Sequence, residues 1–359
     1  DDIHEVELFA AVNGILTSRI NYTSHLPCNG LEEPKSTQTK GIGLRIAFKE
    51  GDTIKVGFGQ ETGSFSKDAL DSALLKAKQG AVYDPDFNGL PAPSQENRTL
   101  WDYHDECLLS LSDQDLVGMC WKSIHTALEV WEGSPLIQKH SLNELGLILG
   151  GDVSILQEEI ALASSHMESI QEDTSTLLFS SLTAMIEKTN SKGSGWSVET
   201  HLHDFDGTAG SMAVKSALQA LSGAEIDSGS YPVVLAPQAV ADIVNNVLIP
   251  SLRLDSFYAG NSTFQGKLGK KVTSEILSVY DNGCKKGLAA SKGITCEGLP
   301  TGKTELITSG ILSGLLSNDY ETKRFLKDEK AQEKLGVDPH TWHRAIAPRN
   351  GFRFGHGGG

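Results

Sequence analysis

A zinc peptidase presents two histidines from one helix face with a glutamate beside the first, because a tetrahedral cation needs convergent donors and a carboxylate must reach its bound water. The one His-Glu pair of this chain, His4-Glu5, is followed by Leu8 and Phe9, so neither H-E-x-x-H nor H-E-x-x-x-H is completed. His201 and His203, in the run His201-Leu202-His203-Asp204-Phe205-Asp206, share one face if the chain there is extended, which makes them candidate metal ligands. Solvated residues at a strand edge explain the same pattern. His166 with Glu168, and His340 with His343, are weaker versions of the same arrangement, and Met167 reads as a core side chain. Gly266-Lys267-Leu268-Gly269-Lys270-Lys271 resembles a phosphate loop only in composition, since G-x-x-x-x-G-K-[ST] is not met and Val272 to Val279 reads as a strand. Asp255, Asp281 and Glu297 are isolated carboxylates that spacing alone pairs with nothing for acid–base work.

Composition narrows the classes of function. The 359 residues suffice for two or three folding units, and 46 acidic against 31 basic residues leave a net charge of −15. Such a chain is a poor direct ligand for nucleic-acid phosphate. No run reaches the ~18 uninterrupted apolar residues of a membrane span, and the acidic opening Asp1 to Glu7 is the reverse of a secretory signal. A cytoplasmic protein with no membrane contact is expected. Cys28, Cys107, Cys120, Cys284 and Cys296 form an odd, widely spaced set that reads as reduced thiols rather than as a disulfide framework or a zinc ribbon. The sequons at Asn21, Asn97 and Asn261 matter only in a secreted chain.

The elements that must position these residues form an α+β protein in three parts. In the first (1–95), alternating runs at Val6 to Ala11, Gly41 to Phe48 and Thr53 to Gln60 predict strands, with Glu50-Gly51-Asp52 as a hairpin turn. Ser66 caps a helix whose face is Leu70, Ala73, Leu74 and Ala77. The stretch from Asp84 to Arg98, with Pro85, Pro91 and Pro93, reads as a linker. The central α+β part (96–228) opens with a helix capped at Ser112 that carries Leu116, Cys120, Ile124, Ala127, Leu128 and Trp131 on one face. Sheet-like runs follow at Leu145 to Leu162 and Thr176 to Ile186, then a glycine-rich polar stretch from Asn190 to Gly207, then a helix bearing Met212, Val214, Ala217, Leu218 and Leu221. The third part (229–359) is expected to be β-rich. Tyr231 to Pro237 reads as a short buried strand, Gln238 to Ile249 as a helix stopped by Pro250, and Thr304 to Thr308 with Ile311 to Leu316 as a hairpin.

The third part also carries a resemblance. Phe257-Tyr258-Ala259-Gly260-Asn261-Ser262-Thr263-Phe264-Gln265-Gly266-Lys267-Leu268-Gly269-Lys270-Lys271-Val272 resembles the core of the TldD/PmbA family, once called modulators of DNA gyrase. Gly293-Ile294-Thr295-Cys296-Glu297-Gly298-Leu299-Pro300 resembles the family's small-residue turn ending in Glu-Gly, and Glu305 to Leu316 its following hairpin. The N-terminal hairpin, the helix after Ser66 and the Asp84-Pro85 link resemble it more loosely.

The resemblance implies more than the residues do by themselves. The family has a TldD branch with H-E-x-x-x-H on the helix before that core and a PmbA (TldE) branch without it. The matching positions here are Asn245-Asn246-Val247-Leu248-Ile249-Pro250, which lack both histidines and the glutamate. The chain thus resembles the PmbA branch, which implies a non-catalytic subunit, no cofactor in this chain, and a TldD-type heterodimer partner bearing zinc that acts on peptides or unfolded proteins. Gly260, Asn261, Ser262, Thr263, Gly266 and Gly269 are the expected substrate or partner positions, the glycines allowing close backbone approach and strand addition. Other readings are a stand-alone homodimeric peptide-binding or regulatory protein, and a hydrolase using His201 and His203. The resemblance further implies a helix before the first hairpin and several dozen residues after Gly359.

Overall fold

Residues Ile3 to Thr23, alternating at Glu5-Val6-Glu7-Leu8 and then continuously apolar to Val12, form one long strand of 21 residues, β1, that organises the molecule. The computed structural model describes residues 3–26, 30–93, 96–138, 142–221 and 223–349; Cys28, the boundary expected at residue 95 and the Gly355–Gly359 run lie outside them. Around β1 lie β2 (Lys35–Glu50), β3 (Thr53–Thr62), β4 (Val82–Tyr83), β5 (Leu147–Ser164), β6 (Gln171–Ile186) and β7 (Ser191–Glu199), in the order β4-β3-β2-β1-β5-β6-β7 with antiparallel neighbours. Because β1 pairs with β2 on one side and β5 on the other, the parts expected as separate units before and after residue 95 share one sheet. The proline-bearing stretch is a surface connection that packs Phe87 and Leu90 against Ala47 and Val56.

Three helices cover one face. α1 (Lys67–Gln79) begins where Ser66 accepts a hydrogen bond from Ala69 N at 3.2 Å and buries Ala73 and Ala77. It lies so close to β3 that a Cβ on Gly59 would stand 1.8 Å from Ala73 O. α2 (Glu106–Leu109) leads into α3 (Asp113–Gly133), which starts with a Ser112/Asp115 capping box and buries the expected Leu116, Cys120, Ile124, Ala127 and Trp131. Two short turns, α4 (Pro135–Gln138) and α5 (Leu142–Leu145), lead into β5. α6 (Thr208–Gln219) lies on β7, where a Cβ on Gly195 would meet Ala209 O at 2.1 Å. The glycine-rich stretch from 190 therefore holds a strand, because only glycine lets the helix approach this closely.

The third part docks on the opposite face. It comprises α7 (Pro237–Ile243), a π-helical turn (Val244–Leu248), α8 (Ile249–Ser251), α9 (Leu254–Tyr258), β8 (Val279–Asn282), β9 (Lys303–Thr308), β10 (Ile311–Leu312), α10 (Asp319–Lys327) and α11 (Ala331–Leu335). The expected hairpin is β9–β10, and β8 completes a three-stranded sheet. Among the described residues the β-rich character expected here is confined to these short strands. Residues 272–278 form turns rather than a strand, and the Tyr231–Pro237 run is exposed, with Val234 98% accessible. Its apolar residues follow no sheet neighbour, which is why they remain outside the core built by Leu254, Phe257, Leu268, Leu312 and Phe325. Among the described residues no helix is long and apolar enough to cross a membrane.

Candidate functional site

The positions that match a zinc-binding helix sit on the π-helical turn. Pro250 has no N–H and its ring clashes with the carbonyl four residues back in an α-helix. Widening the preceding turn, with Ile249 N donating to Val244 O, lets the chain continue through Pro250 to Ser251, two residues beyond the expected end at Ile249. Asn246 Nδ2 donates to Asp242 O at 2.8 Å, so its amide is engaged with its own helix. With Asn245, Asn246 and Pro250 the turn offers no imidazole and no carboxylate, and these residues do not fit a zinc ion.

The loop of expected substrate or partner residues packs directly beside this helix end. Ser262, buried, donates to Ser251 O at 2.6 Å and accepts from Phe264 N at 3.1 Å, while Asn261 and Thr263 are exposed. Gly260, Gly266 and Gly269 take φ of 75°, 68° and 78°, the left-handed region that glycine enters without penalty. Their main chain is joined to this chain's own segments. Gly266 N donates to Lys334 O, Leu268 N to Leu335 O, Gly269 N to Leu312 O and Val272 N to Gly310 O, at 2.7 to 3.1 Å. The backbone N–H groups of Gly266, Leu268 and Gly269, expected as an open strand edge, are therefore already paired within the chain, while Gly260, Asn261, Thr263 and Gly269 are exposed. Tyr258 stands beside it between Arg324 Cζ and Lys334 Nζ, 3.2 Å and 3.6 Å from the ring centroid.

One buried carboxylate, Asp173, holds residues 293–294 of the third part to the large sheet, and a second, Glu297, is bonded within the third part. Asp173 on β6 accepts from Arg98 Nη2 at 2.7 Å, Tyr103 Oη at 2.8 Å, Gly293 N at 2.7 Å and Ile294 N at 3.3 Å. Burial and the Asp173 carboxylate push the Tyr103 hydroxyl pKa well above its usual value. Glu297, in the turn anchored there, accepts from Asp319 N at 3.0 Å and is pushed up to about 7, chiefly by burial, with the Asp319 and Glu7 charges adding and Arg45 opposing. Burial also raises Asp319, countered by Lys323. Arg45 Nη2 donates to the buried Glu7 at 2.9 Å. A sequence offers no direct sign of such pairings, which join residues from 22 to 121 positions apart.

The other candidates are dispersed. His201 and His203 fall on a single 3₁₀ turn after β7 rather than on a strand, with ring centroids 5.4 Å apart. His201 Nδ1 faces Thr200 Oγ1 at 3.0 Å and His203 Nε2 lies 3.3 Å from Asp204. Among the described residues no group of three or more His, Cys, Asp or Glu side chains is placed to hold a metal. His166 lies 3.2 Å from Glu5, not beside Glu168, and His4 lies 3.7 Å from the same carboxylate. His343 Nδ1 faces His340 O at 3.1 Å.

An antiparallel sheet with helices on one face and a small mixed domain on the other, ending in a paired glycine loop beside a π-turn, defines an α+β protein with a distinctive C-terminal domain. Residues 228–345 match the PmbA/TldA metallopeptidase C-terminal domain. The chain is similar to a metalloprotease TldD homolog of Buchnera aphidicola, 34% identical over 125 residues that cover 35% of this chain and 24% of that protein. It is also similar to an uncharacterized protein of Methanocaldococcus jannaschii, 22% identical over 290 residues, or 81% of this chain and 62% of that one. These matches span less than two thirds of the relatives' own lengths. In fold it resembles TldE from Thermococcus kodakarensis, with a TM-score of 0.71 and 18% identity over 100% of this chain and 72% of that one. Residues 228–345 are thus similar to the C-terminal domain of the PmbA/TldD family, and the likeness to TldE is one of fold.

Proposed function

We propose that this chain is the non-catalytic, PmbA/TldE-like subunit of a cytoplasmic heterodimeric zinc metallopeptidase. In this reading it supports assembly and substrate binding for a TldD-type partner that carries the zinc and cleaves peptides or unfolded proteins. The observation that carries the reading is the Asn245-Asn246-Val247-Leu248-Ile249-Pro250 segment, which the resemblance aligns with the family's zinc motif and which has an engaged amide and a proline-accommodating π-turn in its place. The exposed Gly260, Asn261 and Thr263 surface beside it is the part proposed to meet substrate or partner.

The test is reconstitution. The chain purified alone, a TldD-type subunit from the same genome purified alone, and their mixture are assayed for cleavage of an unfolded protein. Cleavage that requires the mixture and disappears when the partner's zinc motif is altered is the expected result. Cleavage by this chain alone, or full activity of the partner without it, contradicts the proposal. Replacing Asn245→His, Asn246→Glu and Pro250→His is expected to give no robust activity, since second-shell partners are also needed. Peptidase activity from that triple variant alone is the contrary outcome.

A further inference from the structure

A groove far from the glycine loop in sequence crosses the helical face of the large sheet and encloses about 580 Å³. That is within the range of ligand sites, ~300 to 1,000 Å³. It lies between α1 and the segment 98–105, which runs along β6 before β7 begins to pair at Leu178. Its floor is low because small residues face it. Ala10 lies opposite Ala161, and Ala161 opposite Glu172, while Val12 lies opposite Glu159 and Glu159 opposite Thr174.

The walls are aromatic and rigidly held. Trp101 is 61% exposed yet fixed, with its Nε1 donating to Arg98 O at 3.2 Å and the Arg98 guanidinium 3.9 Å from its ring centroid. Phe65, 50% exposed, stands on the α1 side with Lys40 Nζ 5.7 Å from its ring. The charge in the groove is negative. Glu159, Glu172 and Asp102 are exposed to it, whereas Arg98 is engaged by Asp173 and by the carbonyls of Leu100 and Glu172. His104 lines the groove as its imidazole.

We infer that this groove binds a basic side chain, a guanidinium or alkylammonium group, presented by a peptide. An aromatic wall supplies a cation–π face and stem packing, and the carboxylates supply charge-assisted acceptors; an anionic or purely apolar ligand would leave those carboxylates desolvated and unpaired. The inference rests on the peptide reading above only for the source of the cation. Since it concerns this chain alone, its test needs no partner subunit and separates the two ideas.

Isothermal titration calorimetry of the whole chain compares N-acetyl-Ala-Arg-Ala-amide, the same peptide with norleucine for arginine, and agmatine. The arginine peptide is expected to bind, with the norleucine peptide at least about tenfold weaker. Glu159→Gln combined with Glu172→Gln weakens the arginine peptide by about tenfold, Trp101→Leu weakens it by several fold, and the exposed control Glu225→Gln leaves it unchanged, all with thermal midpoints near wild type. Equal binding of the arginine and norleucine peptides, no binding of the arginine peptide at millimolar concentration, or wild-type binding by the double variant overturns the inference. Agmatine binding as tightly as the peptide overturns the peptide as the source of the cation.

Discussion

Glu297 concentrates the electrostatic cost of joining the third part to the sheet. Its carboxyl is pushed from 4.5 to about 7, so the folded chain binds a proton there that the unfolded chain releases. Stability from this group is therefore present below about pH 4.5 and is lost as pH rises through 7. Glu297→Gln is expected to be the more stable protein at pH 8, by on the order of 3 kcal/mol, and to match wild type near pH 4. Urea midpoints at the two pH values measure this, and an unchanged gap between variant and wild type would show that burial does not govern the group. Asp173 acts in the other direction. Asp173→Ala leaves Arg98 Nη2, Tyr103 Oη and two backbone N–H groups without this acceptor and the Arg98 charge without its carboxylate, and is expected to cost about 3 to 5 kcal/mol. A loss under about 1 kcal/mol in the same urea experiment would place the joint elsewhere.

At the scale of elements, what was legible followed from periodicity and capping. The Ser66 and Ser112 caps, the face of α3, Ala73 and Ala77 of the α1 face, the Gly51 hairpin and the β9–β10 hairpin follow from local pattern, because each is specified by residues a few positions apart, whereas Leu70, expected on the α1 face, is exposed. β7 was hidden, since its Gly193 and Gly195 carry the signature of a loop while serving helix contact. The Tyr231–Pro237 run misled in the opposite sense, because an apolar stretch becomes a strand only if a neighbour accepts its backbone bonds. The helix through Pro250 was cut short because a π-turn has no sequence signature. The glycine loop was placed after the helix of Asn245 to Pro250 by resemblance, but its internal pairing was not foreseen. Gly195→Val is expected to separate α6 from β7 and unfold the chain at ambient temperature, since the added atoms meet backbone on Ala209 and Ala213. Gly266→Ala, at φ 68° with only Glu333 O, at 3.8 Å, near the added Cβ, should cost only ~1 to 2 kcal/mol. Thermal melts of both variants check that ordering, and equal losses would contradict it.

For the whole molecule, the first two parts share one sheet, and in the third part the Tyr231–Pro237 run that leads into α7 is exposed, as are Gly260, Asn261 and Thr263 of the glycine loop. The central claim is that this chain contributes surface and not metal. Native mass spectrometry with zinc quantification on the chain co-purified with its TldD-type partner addresses it directly. A one-to-one complex holding one zinc, which stays with the partner when the subunits are separated, is the result predicted. Zinc retained stoichiometrically by this chain, or a homodimer that never takes up the partner, would contradict the account.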